Sequence, residues 1–180
     1  MDEMAKWKKV EEELTVSDAL EYATSDLRSL ADEMDEWRSN MEGTNLEYTD
    51  KYERVSECAD TLEEQTDELE ELESDLKELA TSEHVNLDKT IKVVWSKPYS
   101  RYESRPTRLN HITAYLEAVK EELKEQKDRL SEKIEESEDS EQTEEAEKLK
   151  EVVEQLEEYI DSLTNILDEL ESVEFPGMYG

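Results

Sequence analysis

Between Arg54 and Lys77 the chain carries ten carboxylates and no basic side chain: Glu57, Asp60, Glu63, Glu64, Asp67, Glu68, Glu70, Glu71, Glu73 and Asp75. Carboxylates at this density can ligate a divalent cation if several converge on one point. Otherwise they present a negative surface to a basic partner. Spacing decides between the two. Read as a helix, the stretch spans about 33 Å, a length over which duplex DNA carries roughly 19 phosphate charges. One helix holds about half that density, and a neighbouring helix can supply part of the rest. Ordinary coiled-coil faces pair Glu with Lys four residues on, and this stretch forgoes that support. All of these acids except Glu73 are taken as a candidate partner-binding face.

A second candidate lies at residues 89–108, KTIKVVWSKPYSRYESRPTR, with six basic residues against one acid in a chain of formal net charge −32. Lys92, Trp95, Lys97, Tyr99, Arg101, Tyr102 and Arg105 interleave cations with rings, a pattern that can neutralise phosphate and stack bases. The competing reading is docking against the protein's own acidic segments or a second copy's. Flanking residues 15–83 carry 23 acids and 5 bases, and residues 109–180 carry 23 and 7. That balance favours docking and argues against direct nucleic-acid binding.

Enzyme signatures fare worse. Glu33-x-x-Glu36 and Glu57-x-x-Asp60 resemble the paired acidic helices of all-α nucleotide pyrophosphohydrolases, which hold magnesium with such residues. The heptad positions of these four acids flank the core or face away from it, so they are not expected to converge on a metal. His84 and His111 stand alone at the island's edges, without zinc-ligand spacing, and read as helix caps or surface residues. No Gly-rich phosphate loop occurs. No catalytic residue, metal ligand or cofactor is assigned.

Such side chains need a scaffold, and the apolar residues describe one. Leu20, Ala23, Leu27, Leu30, Met34, Trp37 and Met41 follow a seven-residue rule. Thr15 or Ser17 can cap this helix, and Gly43 suits the left-handed residue that ends it. Thr44-Asn45-Leu46-Glu47 reads as a capping box that starts the next helix at once. That helix carries Tyr48, Val55, Leu62, Leu69 and Leu76, with Cys58, Leu72 and Leu79 between them and with Lys51 and Gln65 weakening the seam. After the island the stripe resumes as Leu109, Ile112, Leu116, Val119, Leu123 and Leu130. The acid-rich tip ESEDSEQTEE separates it from a broader stripe, Leu149 to Val173, with Ser140 or Thr143 as its cap. Residues 1–14 place Met4, Trp7, Val10 and Leu14 on one side of a short amphipathic helix. Within the island, Ile91, Val93 and Trp95 alternate with Lys92, Val94 and Ser96 and predict a two-stranded ribbon with residues 99–103.

The expected fold is mainly α: two long antiparallel helical hairpins with a short β-ribbon inserted between them. Its segments are an N-terminal helix (1–14), an acidic hairpin (15–84), the basic aromatic ribbon (85–106), a second acidic hairpin (107–174) and a tail (175–180). Cys58 stands alone, so no internal disulfide forms. No apolar run is long enough for a membrane span, and the charged start lacks a signal peptide's apolar core. The cytoplasm is the expected compartment.

Residues 29–64, SLADEMDEWRSNMEGTNLEYTDKYERVSECADTLEE, resemble a helical-hairpin pattern of small uncharacterised acidic bacteriophage proteins. The shared elements are Glu36-Trp37, the turn Asn40 to Leu46, and Ala59-Asp60-x-Leu62-Glu63. The resemblance implies a phage or mobile-element origin and carries no activity. The functional expectation is a non-enzymatic inhibitor or adaptor of the anti-defence kind, acting in the host cytoplasm. Its carboxylates would occupy a basic, nucleic-acid-binding surface on a host protein. The alternative is a coiled-coil assembly protein that self-associates as a homo-oligomer.

Overall fold

A computed structural model describes residues 7–99, 102–136 and 144–177. Among the described residues the chain is mainly helical, with four α-helices and one small antiparallel sheet. In order these are strand β1 (Trp7–Thr15), helices α1 (Val16–Met41) and α2 (Asp50–Leu79), strand β2 (Thr90–Pro98), and helices α3 (Arg105–Glu136) and α4 (Glu144–Glu171).

The heptad residues form the core because their spacing keeps one stripe inward through every turn. Leu20, Leu27, Leu30 and Met34 of α1 are fully buried, as are Val55, Leu62, Leu69 and Leu76 of α2. One apolar cluster takes residues from all four helices and from β2. Within it α1 packs on α2 and α3, and α4 packs on α2 and α3. Cross-helix ion pairs join Glu21 to Lys77, Arg28 to Asp67 and Glu70, and Arg38 to Asp60, so the residues of α1 and α2 that meet run in opposite order.

Local signals act largely as the sequence indicates, with one shift. Thr15 caps α1, its Oγ1 accepting the Asp18 N–H at 3.0 Å, and Gly43 follows at φ +76°. The next helix does not begin at once. A 3-10 turn, Asn45–Tyr48, intervenes, and Thr49 caps α2 by accepting the Tyr52 N–H at 3.2 Å. Glu47 accepts from the Gly43 N–H rather than from Thr44, which widens the expected box by one residue. The turn carries Tyr48 out of the seam, where it is 87 % exposed. Residues 137–143, with the proposed caps Ser140 and Thr143, lie outside the described residues.

Two expectations are overturned. Residues 7–14 are not helical: Trp7–Thr15 form a strand, and Met4 lies outside the described residues. Among the described residues, the ribbon is not the expected pairing of 91–95 with 99–103. Its second strand is the N-terminal segment, with Val10 opposite Trp95, Glu12 opposite Val93 and Leu14 opposite Ile91. The physical reason is a carboxylate in disguise. Alternation of Val10, Glu12 and Leu14 puts all three on the inward face, and Glu12 hides the period of two from an apolar count. β2 behaves as read, with Val93 1 % and Trp95 7 % exposed and Ile91 packed against the core. The linker from α2 to β2 is clamped by Gln126, whose amide donates to the Asn86 carbonyl at 2.8 Å and accepts from the Asn86 N–H at 2.9 Å.

Candidate functional site

The acidic residues of α2 divide by the helix they face. Toward α1, Arg28 Nη2 reaches Asp67 at 2.8 Å and Glu70 at 2.9 Å. Arg38 bonds Asp60 and Asp35, and these two carboxylates hold its guanidinium above its ordinary value. Glu73 accepts from Thr24 Oγ1 at 3.0 Å and from Lys77 at 3.2 Å. This edge is electrostatically stitched. Its ion pairs are too exposed to add much stability singly, yet they neutralise the charges that they hold.

Toward α4 the picture reverses. Thr61, Glu64, Glu68, Glu71 and Asp75 follow the alternating spacing of three and four that keeps one stripe of a helix together. Glu68, Glu71 and Asp75 line a groove of about 360 Å³ with Glu158 and Tyr159 of α4. Further along, a trough of about 660 Å³ adds Glu78, Glu83 and Glu151, with Lys148 and His84 in its lining. Among the described residues, no ion pair reaches Glu57, Glu63, Glu64, Glu68, Glu71 or Asp75. Tyr159 reports the field there. Its phenol lies above its ordinary value, first through desolvation and then through Asp75, Glu158 and Glu78. The groove therefore holds uncancelled negative charge from two neighbouring helices.

Four of the six basic residues of the island, Lys92, Lys97, Arg105 and Arg108, are paired within the chain. Lys92 meets Glu11 at 3.3 Å, and Lys97 meets Glu103 at 3.6 Å while lying 5.9 Å above the Trp95 ring. Arg105 reaches Glu33 at 3.5 Å and covers Trp37 at 5.3 Å. Glu33 also takes a two-pronged bond from Arg108, chiefly through which its carboxyl falls below the usual range. Trp95 is buried, whereas Tyr99 and Tyr102 are 65 % and 72 % exposed. Arg101 lies outside the described residues.

One cluster escaped the sequence reading. His111 is neither a cap nor a surface residue: its ring stacks on Trp95 at 3.8 Å and touches Tyr115 at 4.4 Å. His111 Nε2 lies 3.1 Å from Glu12, whose carboxylate also accepts from Trp95 Nε1 at 3.4 Å and from Tyr115. Burial alone would raise the Glu12 carboxyl, but the bonds from Tyr115, His111 and Trp95 and the charge of His111 outweigh it, and its pKa falls. Glu12 is thus the polar pin that fastens the sheet to α3. The available signal was His111-x-x-x-Tyr115, one helical turn apart beside an apolar stripe.

One acid of each pair in the pyrophosphohydrolase pattern has another partner, Glu33 with arginines of α3 and Asp60 with Arg38. Among the described residues no group of three or more His, Cys, Asp or Glu is arranged to hold a metal ion. Cys58 is buried, and desolvation pushes its thiol up to about 11. No described helix is long and apolar enough to cross a membrane. Comparison with protein-family models, curated proteins and solved structures finds no match to this chain.

Proposed function

We propose that this protein is a non-enzymatic acidic binder whose four helices form two antiparallel hairpins closed into one bundle. The carboxylates that α2 and α4 share would occupy the basic, nucleic-acid-binding surface of a partner protein. In this reading it is an inhibitor or adaptor of the phage anti-defence type, working in the host cytoplasm. The observation that carries it is the split on α2. Arginines of α1 cancel one edge, while Glu68, Glu71 and Asp75 remain uncancelled in the groove with Glu158, and Glu64 continues their stripe without an ion pair among the described residues. A water-filled groove between two charged walls strengthens its own field, because the protein beneath screens little. The proposed working surface is therefore narrower than the whole acidic helix.

The test is capture from bacterial lysate at low salt, with elution by salt or by duplex DNA. Reversal of Glu64, Glu68, Glu71 and Asp75 to lysine removes the captured partner if the reading holds. Capture of the same protein at the same salt by that variant refutes it.

The second reading, a self-associating assembly protein, draws on the exposed rings of Trp7, Tyr99 and Tyr102 around the sheet. Light scattering separates the two, since assembly predicts a large homo-oligomer that persists in high salt.

A further inference from the structure

Among the described residues the small sheet has two strands, so each has an outer edge. β2 pairs, among the described residues, with β1 and with no other strand. Among the described residues, no backbone hydrogen bond from outside the sheet reaches residues 90–98. A nine-residue strand with a bare edge is a pairing template that proteins ordinarily guard with proline, bulges or a covering segment. Here proline appears only at its last position, Pro98, and the two lysines that could also guard it, Lys92 and Lys97, are engaged by Glu11 and Glu103. Between β2 and α3 runs a trough of about 560 Å³ whose lining includes Trp7, Val94, Ala114, Glu117, Ala118 and Glu121, with Lys92 drawn to Glu11 at 3.3 Å. Residues 114, 117, 118 and 121 share one face of α3. The two alanines keep the floor low, and Trp7 and Val94, 50 % and 42 % exposed, supply an apolar wall.

We propose that this edge and trough bind an extended basic peptide segment of a partner by strand addition. Main-chain bonds to β2 would supply affinity, and alternate side chains would supply selectivity. Apolar residues of the guest would face Val94, Trp7 and the alanine floor. Lysines or arginines would meet Glu117 and Glu121, of which Glu121 has only a 3.9 Å pairing with Lys124. Charge chooses this occupant over the others. A second copy carries a net charge of −32 of its own and is repelled as a whole, and a nucleic acid would set phosphates against Glu117 and Glu121. The site lies on β2 and α3 and does not depend on the groove between α2 and α4.

The probe is a fluorescent nine-residue peptide of alternating Lys and Val, titrated by anisotropy into the full chain. Binding with slowed amide exchange in residues 90–98 is the expected result. N-methylation of the one alternating set of peptide amides that would face β2 should weaken it at least about tenfold, since several main-chain bonds are lost together. N-methylation of the other set should change little. Glu117→Lys with Glu121→Lys, both exposed positions, should also weaken it about tenfold or more. Four outcomes overturn the proposal. They are no binding, equal binding by both N-methylated peptides, binding abolished by reversing Glu64, Glu68 and Glu71 instead, and a salt-resistant dimer that shields Trp7.

Discussion

On the edge of α2 that faces α1, Asp60, Asp67 and Glu70 each meet an arginine; on the edge that faces α4, Glu64, Glu68, Glu71 and Asp75 meet none among the described residues. Both edges belong to one uninterrupted acidic run, and along the chain they look alike. What separates them is Arg28 and Arg38, each placed on α1 directly after a core residue, Leu27 and Trp37, and so turned toward α2. Charge that is cancelled across a helix pair serves the fold. Charge that remains serves as a field, and a field is what a basic partner can read. The number of acids in a stretch is therefore a poor guide to its function, and the geometry of the neighbouring helix is a better one.

The widest separation between the two edges should appear in partner binding. Reversing Glu64, Glu68, Glu71 and Asp75 to lysine should weaken a basic partner by about a hundredfold or more at low salt. Reversing Asp60, Asp67 and Glu70 should instead lower thermal stability, by setting lysines against Arg28 and Arg38. Equal losses of binding from both variants would erase the distinction.

Glu12 sharpens the contrast from the side of the fold. Its carboxyl is depressed in the folded state, so its stabilising contribution is complete above the ordinary carboxylate range of about 4.3. That contribution should be lost as pH falls through the lower folded value. Glu12→Gln should cost about 1–2 kcal/mol near neutral pH. The gap from the wild type should close below pH of about 4, as followed by urea denaturation. A gap that grows on acidification would contradict the sign.

Arg38→Ala should produce a smaller change, roughly 1 kcal/mol in stability, because its bonds are part-exposed. It frees Asp60 and should leave partner binding equal or slightly tighter. The smallest effect is spectroscopic. Asp75→Asn with Glu158→Gln should move the Tyr159 phenol down toward its ordinary value, while changes at Asp60 and Asp67 should not. Ultraviolet titration against Tyr159→Phe reads this directly.

How far the sequence foretold these features depends on the range of the interaction. The seams of α1, α2 and α3, the turn at Gly43 and the inward face of β2 follow from spacing alone, because period and side-chain direction are local. The 3-10 turn before Asp50 needed a choice between Thr44 and Thr49 as caps, and nearby residues permit either. β1 was illegible because its inward row holds Glu12, whose three hydrogen-bond donors come from β2 and α3, more than 80 residues away. The candidate face was half legible. The uncompensated run was plain, but its compensation by Arg28 and Arg38 depends on how two helices meet, and no local pattern encodes that.

The most direct measurement is a competition between this protein and duplex DNA for the captured basic partner, followed by native mass spectrometry or sedimentation. Occupation of the nucleic-acid-binding surface predicts two mutually exclusive binary complexes, with DNA displaced by the wild type and not by the Glu64, Glu68, Glu71 and Asp75 reversal. A stable ternary complex of partner, DNA and this protein would contradict it.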